Sequence, residues 1–268
     1  MLGIAAMLTS CSQSEDLLNE NDSAKQVTFT LTANGQAQTR AAGDQLRYVI
    51  AIYDKNGAQV QQNATVFSTN TFEIELNPGD YTFLFWADYG NDNYNASNLK
   101  EVELDSERVT NPEAFYGKTS YTINSNNNID VTLKRAVAKV VLKSTGHIKT
   151  GAINVTYSGF NKFNVFNENP EVTTTSLTKT INIETDITGT DDSPVEIGSI
   201  MMLAKKSESN LSTVKTTYKD EEEKSISNVP IQANYVTNIN GMFCNNQTNF
   251  SINLDENWNT NEINTEVK

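Results

Sequence analysis

Residues 26–33 read QVTFTLTA, and in them Val27, Phe29 and Leu31 alternate with Thr28, Thr30 and Thr32. A period of two puts the apolar set on one face of an extended chain and the threonines on the other, the pattern of a strand that buries one side. The same alternation recurs in TFEIEL, with Phe72, Ile74 and Leu76, and in IDVTLK, with Ile129, Val131 and Leu133. LRYVIAIYD (46–54) and YTFLFWAD (81–88) are apolar on both faces, which predicts central strands crowded from both sides. Turn residues punctuate these runs: Lys55-Asn56-Gly57 ends one strand, Asn77-Pro78-Gly79-Asp80 joins two, and Asn91-Asp92-Asn93 marks a longer loop. No window carries a sustained helical apolar stripe, so the fold class is all-β.

After AVAKVVLK (136–143) the segment STGHIKTG (144–151) reads as a boundary, and the second half repeats the style in INVTYSG, TTSLTKTINIET, VEIGSIMMLAK, LSTVKTTYK, NYVTNING and TNFSINL. The expectation is two tandem antiparallel β-sandwiches, an N-terminal one over 26–145 and a C-terminal one over 146–268. The charged run from Lys219 to Lys224 falls between strands and reads as a solvated hairpin tip.

The 268 residues carry 20 Lys and Arg against 33 Asp and Glu, a net charge of −13. That sign repels phosphate backbones, so nucleic acid is not an expected partner. The chain has 35 Asn and 31 Thr but one His and two Cys. So few His and Cys leave little for Ser–His or Cys–His nucleophiles or His-ligated metal. No cofactor is implied and the chain does not read as an enzyme. His147 reads as a linker residue at the domain junction. The loop Asp88–Asn95 concentrates oxygen ligands but lacks the Gly and distal Glu of an EF-hand, so it reads as a solvated loop. Trp86, Tyr89 and Tyr94 near it form a candidate aromatic platform for sugar rings, although Trp86 lies in a strand apolar on both faces.

Residues 1–10 (MLGIAAMLTS) are apolar, too short to span a bilayer, and run into Cys11 and then the acidic SQSEDLLNENDS. They read as an export signal whose basic start is clipped or missing. Leu8-Thr9-Ser10-Cys11 resembles a bacterial lipobox, in which the Cys thiol takes the acyl chains; an ordinary secretory signal with a coincidental Cys is the alternative. Residues 11–25 then form an acidic flexible tether. With Cys11 acylated, Cys244 has no partner in the chain and a disulfide framework is excluded. Asp22-Ser23-Ala24 resembles a short O-glycosylation pattern of exported Bacteroidetes proteins, with Ser23 as acceptor.

The lipobox, VTFTLTANGQAQTRAAGD (27–44), RYVIAIYDKNG (47–57), NPGDYTFLFWAD (77–88), EAFYGKTSYTI (113–123), LKRAVAKVVL (133–142) and the closing NYVTNINGMF…FSINLDENWN together resemble the fimbrillin-type surface lipoproteins of Bacteroidetes. That resemblance implies two transthyretin-like sandwiches, an outer-membrane lipid anchor on Cys11, and a pilus subunit or a pilus anchor or tip protein acting in adhesion. It also implies cleavage between Arg40 and Ala41 by a trypsin-like protease. The first strand then leaves, and a strand of another subunit replaces it by donor-strand exchange. Partners would be other pilin subunits, and surface glycans or proteins. A lipid-anchored carbohydrate-binding module is the alternative reading.

Overall fold

The computed structural model describes residues 23–33, 46–60, 64–89, 93–104, 113–171, 176–207, 210–219, 221–244, 249–255 and 258. Every regular element among them is a strand. The first part of the chain contributes β1 (Lys25–Ala33), β2 (Arg47–Asp54), β3 (Thr65–Phe67), β4 (Thr71–Leu76), β5 (Gly79–Asp88), β6 (Tyr94–Asn95), β7 (Val102–Leu104), β8 (Ala114–Ile123) and β9 (Asn127–Arg135). Next come β10 (Val137–Ser144), β11 (His147–Ile148), β12 (Gly151–Ser158), β13 (Lys162–Asn164), β14 (Asn169–Glu171) and β15 (Ser176–Ile183). The last are β16 (Ile187–Thr188), β17 (Val195–Leu203), β18 (Asn210–Tyr218), β19 (Lys224–Ile231), β20 (Val236–Gly241) and β21 (Phe250–Asp255).

Seven strands form one sheet in the order β3-β2-β5-β8-β9-β1-β4. β8 and β9 pair only at Phe115↔Arg135 and Tyr116↔Lys134 and then diverge. The sheet therefore opens into two leaves, β3-β2-β5-β8 and β9-β1-β4. They face each other across aromatic rings: Phe29 on β1 lies 4.9 Å from Phe83 and 5.4 Å from Phe85 on β5. In a flat sheet strands three apart would be separated by about 14 Å. Gly117 stands where β8 leaves β9, and a Cβ there would come 2.7 Å from Leu133 Cδ2.

The alternation in β1 is realised as read, with Val27, Phe29, Leu31 and Ala33 buried and Gln26 and Thr32 exposed. The doubly apolar strands are doubly covered. On β2, Tyr48, Ile50 and Ile52 enter the core between the leaves, while Val49, Ala51 and Tyr53 enter a second core shared with the rest of the chain. The turn after β2 is closed by Asp54, whose Oδ1 accepts the Asn56 and Ala58 amides at 2.9 Å, and by Gly57 at φ 79°. Those amide bonds hold the Asp54 carboxyl below its usual range.

The second core joins two four-stranded sheets, β17-β10-β20-β21 and β15-β12-β18-β19. β10, read from the sequence as the end of an N-terminal unit over 26–145, hydrogen-bonds instead with β17 and β20. Sheet membership thus changes at Ala136. The period marks β10 as a strand buried on both faces but does not say which strands flank it.

The halves also share a small sheet, β14-β13-β7-β6, in which Phe163 pairs with Val102. Phe163 packs its ring 4.7 Å from Tyr116 and 5.7 Å from Trp86, covering the outer face of the first sheet. Lys162 bonds Glu101 and Glu103 at this seam, which raises its pKa above the usual lysine range.

Gly189 marks the tightest approach in the second half: a Cβ there would lie 1.9 Å from the Ser144 carbonyl oxygen, a backbone atom that cannot swing away. Gly189→Ala is therefore expected to cost about 3 kcal/mol, the upper end for overpacking, read as a lower urea midpoint at unchanged m-value.

Candidate functional site

β1 is the feature most easily turned to use. It is parallel to β9, with Val27 opposite Asn127 and Ala33 opposite Leu133, and antiparallel to β4, with Lys25 opposite Leu76 and Thr30 opposite Thr71. Phe29 is fully buried and stacks on Phe72 at 5.7 Å. The Leu31 amide donates to the Asn70 carbonyl at 2.8 Å, and the Gln26 amide donates to Asn126 Oδ1 at 2.9 Å. Val27, Phe29 and Leu31, at about 1.5–3 kcal/mol each, and the smaller Ala33 hold β1 in place, with a backbone ladder on both sides. β4 has no other strand partner among the described residues. Removing β1 would bare the facing backbone edges of β4 and β9 above an apolar trough of Phe72, Phe83 and Phe85, a slot shaped for another strand.

Residues 34–45 separate β1 from β2 in the chain, and the two strands belong to different leaves of the sheet. Arg40 and Ala41 belong to that segment and lie outside the described residues, as do the signal peptide, Cys11 and the tether up to residue 22. Ser23 is exposed just before β1, where its Oγ accepts Lys25 Nζ at 3.1 Å.

The three rings offered as a sugar platform face inward. Trp86, Tyr89 and Tyr94 are 0%, 5% and 3% exposed. Trp86 meets Tyr94 edge-on at 5.1 Å and donates Nε1–H to Asp88 Oδ2 at 2.7 Å, while Arg47 grips the same carboxylate at 2.7 and 3.0 Å. Trp86 lies in a strand covered from both sides, and Tyr89 and Tyr94 are buried beside it, so rings that a loop-side reading places on the surface become packing. Gly90, Asn91 and Asp92 of the neighbouring loop lie outside the described residues. Among the described residues no group of three or more His, Cys, Asp and Glu side chains could hold a metal ion. His147 is exposed and meets Thr188 Oγ1 at 2.9 Å. Cys244 is a half-buried free thiol, pushed up to about 11 chiefly by burial. In the run 219–224, Lys224 departs from a solvated tip: its side chain is buried and donates Nζ–H to the Met242 carbonyl at 3.0 Å.

Sequence reasoning passes over a second cluster. Arg135, 4% exposed, pairs with buried Glu113, and its guanidinium carbon lies 4.0 Å from the Trp258 ring and 5.2 Å from Phe115. Arg135 in LKRAVAK and Trp258 in DENWN stand 123 positions apart, 258 − 135, and nothing local in either stretch brings them together. Above Arg135 opens a cleft of about 330 Å³ between β9 and residues 232–235, walled also by Lys134 and Lys206.

No curated protein matches the chain by sequence. Solved structures share the fold. A candidate adhesin from Bacteroides thetaiotaomicron VPI-5482 superposes with TM-score 0.58 at 12% identity, over 88% of this chain and 97% of that one. A candidate polysaccharide-binding protein from the same organism gives 0.59 at 12% identity, over 85% and 96%. The fimbrial anchor protein Mfa2 from Porphyromonas gingivalis gives 0.51 at 13% identity, over 86% and 97%. By sequence, residues 19–268 match DUF6562, a family of unknown function, and the chain belongs to that family.

Proposed function

We propose that the chain is a cell-surface protein of fimbriae, serving as a pilus subunit or as an anchor or tip accessory protein in adhesion. The observation that carries this reading is β1, a strand with four buried side chains, ladder-bonded on both edges and joined onward only through the segment containing Arg40. Cleavage after Arg40 would leave β1 held without a covalent link. Its departure would open the slot between β4 and β9 to a strand of another subunit, satisfying the bared backbone and the apolar trough together. The shared fold with the candidate adhesin and the fimbrial anchor supports the same reading. Acylation of Cys11 would tether the uncut form to the outer membrane.

Limited trypsin treatment of the full chain is expected to release a species beginning at Ala41 that assembles into a denaturant-resistant ladder, and Arg40→Ala to give neither. Cleavage that yields only monomer would remove the polymerising role and leave the anchor role. Cys11→Ala is expected to abolish retention in the membrane fraction; unchanged retention would remove the lipid anchor.

The alternative, a lipid-anchored carbohydrate-binding module, takes support from the fold shared with the candidate polysaccharide-binding protein. Trp86, Tyr89 and Tyr94 could serve it only by leaving the core.

A further inference from the structure

Three of the eight residues lining the cleft over Arg135 are cationic, against 20 Lys and Arg in 268 residues overall, and none of the eight is acidic. With Glu113 and Glu168, the acids that contact two of these cations, counted as well, the recess keeps an excess of one positive charge on a chain of net charge −13. Lys134 and Lys206 are exposed at the walls, and Arg135 forms the floor. The acids nearby are already engaged: Glu113 pairs with Arg135 and Glu168 lies 3.4 Å from Lys134 Nζ. Lys205, next in the chain, sits 5.8 Å from the Phe160 ring. Gln232, Asn234 and Tyr235 add amide and phenol groups to the same recess.

We infer that this cleft binds the carboxylate-bearing sugar of an acidic saccharide. The volume suits one or two sugar rings, and a recess between two structural units is a common place for such a site. The carboxylate would face Lys134 and Lys206, and ring hydroxyls would meet Gln232 and Tyr235. A long polyanion is disfavoured by the negative surface beyond the cleft. A peptide strand is disfavoured because the backbone of this wall is spent: the Ala233, Asn234 and Tyr235 amides donate to the Lys205, Val137 and Gln232 carbonyls. Recognition therefore falls to side chains, which suits a sugar. The inference deepens the surface reading by naming a ligand, and does not depend on β1 or on cleavage.

The test is isothermal titration of the full chain carrying Cys11→Ala with digalacturonate, with lactose as neutral control and inorganic phosphate as plain anion. Saturable digalacturonate binding is expected, weakened about tenfold or more in Lys134→Glu/Lys206→Glu and by added salt. Lys55→Glu/Lys149→Glu, with the same charge change elsewhere, should bind as the parent does. Absence of binding by the folded protein, equal binding of lactose, displacement by equimolar phosphate, or an unaffected Lys134/Lys206 variant would each overturn the site. The trypsin experiment, run on the same Lys134/Lys206 variant, should still give its ladder, so failure of the site and failure of the fimbrial reading are told apart.

Discussion

Phe29→Ala is expected to cost roughly 3–5 kcal/mol, the range for truncating a fully buried Phe where the surroundings cannot collapse. The surroundings here are other rings. Phe72, Phe83 and Phe85 all lie within 5.7 Å of the Phe29 centroid, on strands fixed by their own ladders, so the vacated space cannot be refilled cheaply. Thr32→Ala, three positions on and on the exposed face of β1, should stay within about 0.5 kcal/mol. Urea unfolding of both variants measures the contrast. A second readout ties the effect to the strand itself: in Phe29→Ala the amides of β1 and β4 should exchange with solvent faster than those of the second half. Equal exchange throughout would mean that β1 does not open as a unit.

Arg135→Ala is expected to cost about 3–5 kcal/mol for a different reason, the stranding of a buried carboxylate. The Arg135 and Glu113 side chains are 2% and 3% exposed, and Glu113 would lose the cation it faces. The Trp258 ring would also lose the guanidinium it covers at 4.0 Å. Replacing both partners, Glu113→Gln with Arg135→Met, should recover much of the loss, because no charge is then left buried. A double variant as unstable as Arg135→Ala would assign the effect to packing alone. Thermal unfolding of the three chains decides between these outcomes.

Strand existence was legible in the chain because burial on one face writes a period of two, as in Val27, Phe29 and Leu31. Partner choice was not. AVAKVVLK announces a strand buried on both faces, yet a strand so covered fits equally well at the end of one unit or in the middle of the next, and the structure chose the next. The small sheet that joins the halves uses β6, β7, β13 and β14, each two or three residues long and too short to carry a period. Trp86 shows the converse. Its strand reads as crowded on both faces, and that reading outweighs its nearness to a polar loop. The candidate slot was half visible: the alternation marks β1 as buried, while its place between β4 and β9 follows only from pairings across 100 positions, 127 − 27, at Val27↔Asn127.

That separation also orders events in time. During synthesis β1 emerges first, but β9 follows 100 positions later, about 5–20 s at ordinary rates of elongation. Contacts this distant in sequence form slowly in any case. The first strand made therefore cannot complete its pairing until β9 is out. Until β9 is made, the slot has only one of its two flanking strands, β4. β1 meanwhile stays joined to β2 in one chain, so the resident strand meets its slot at an effective concentration that no separate chain matches.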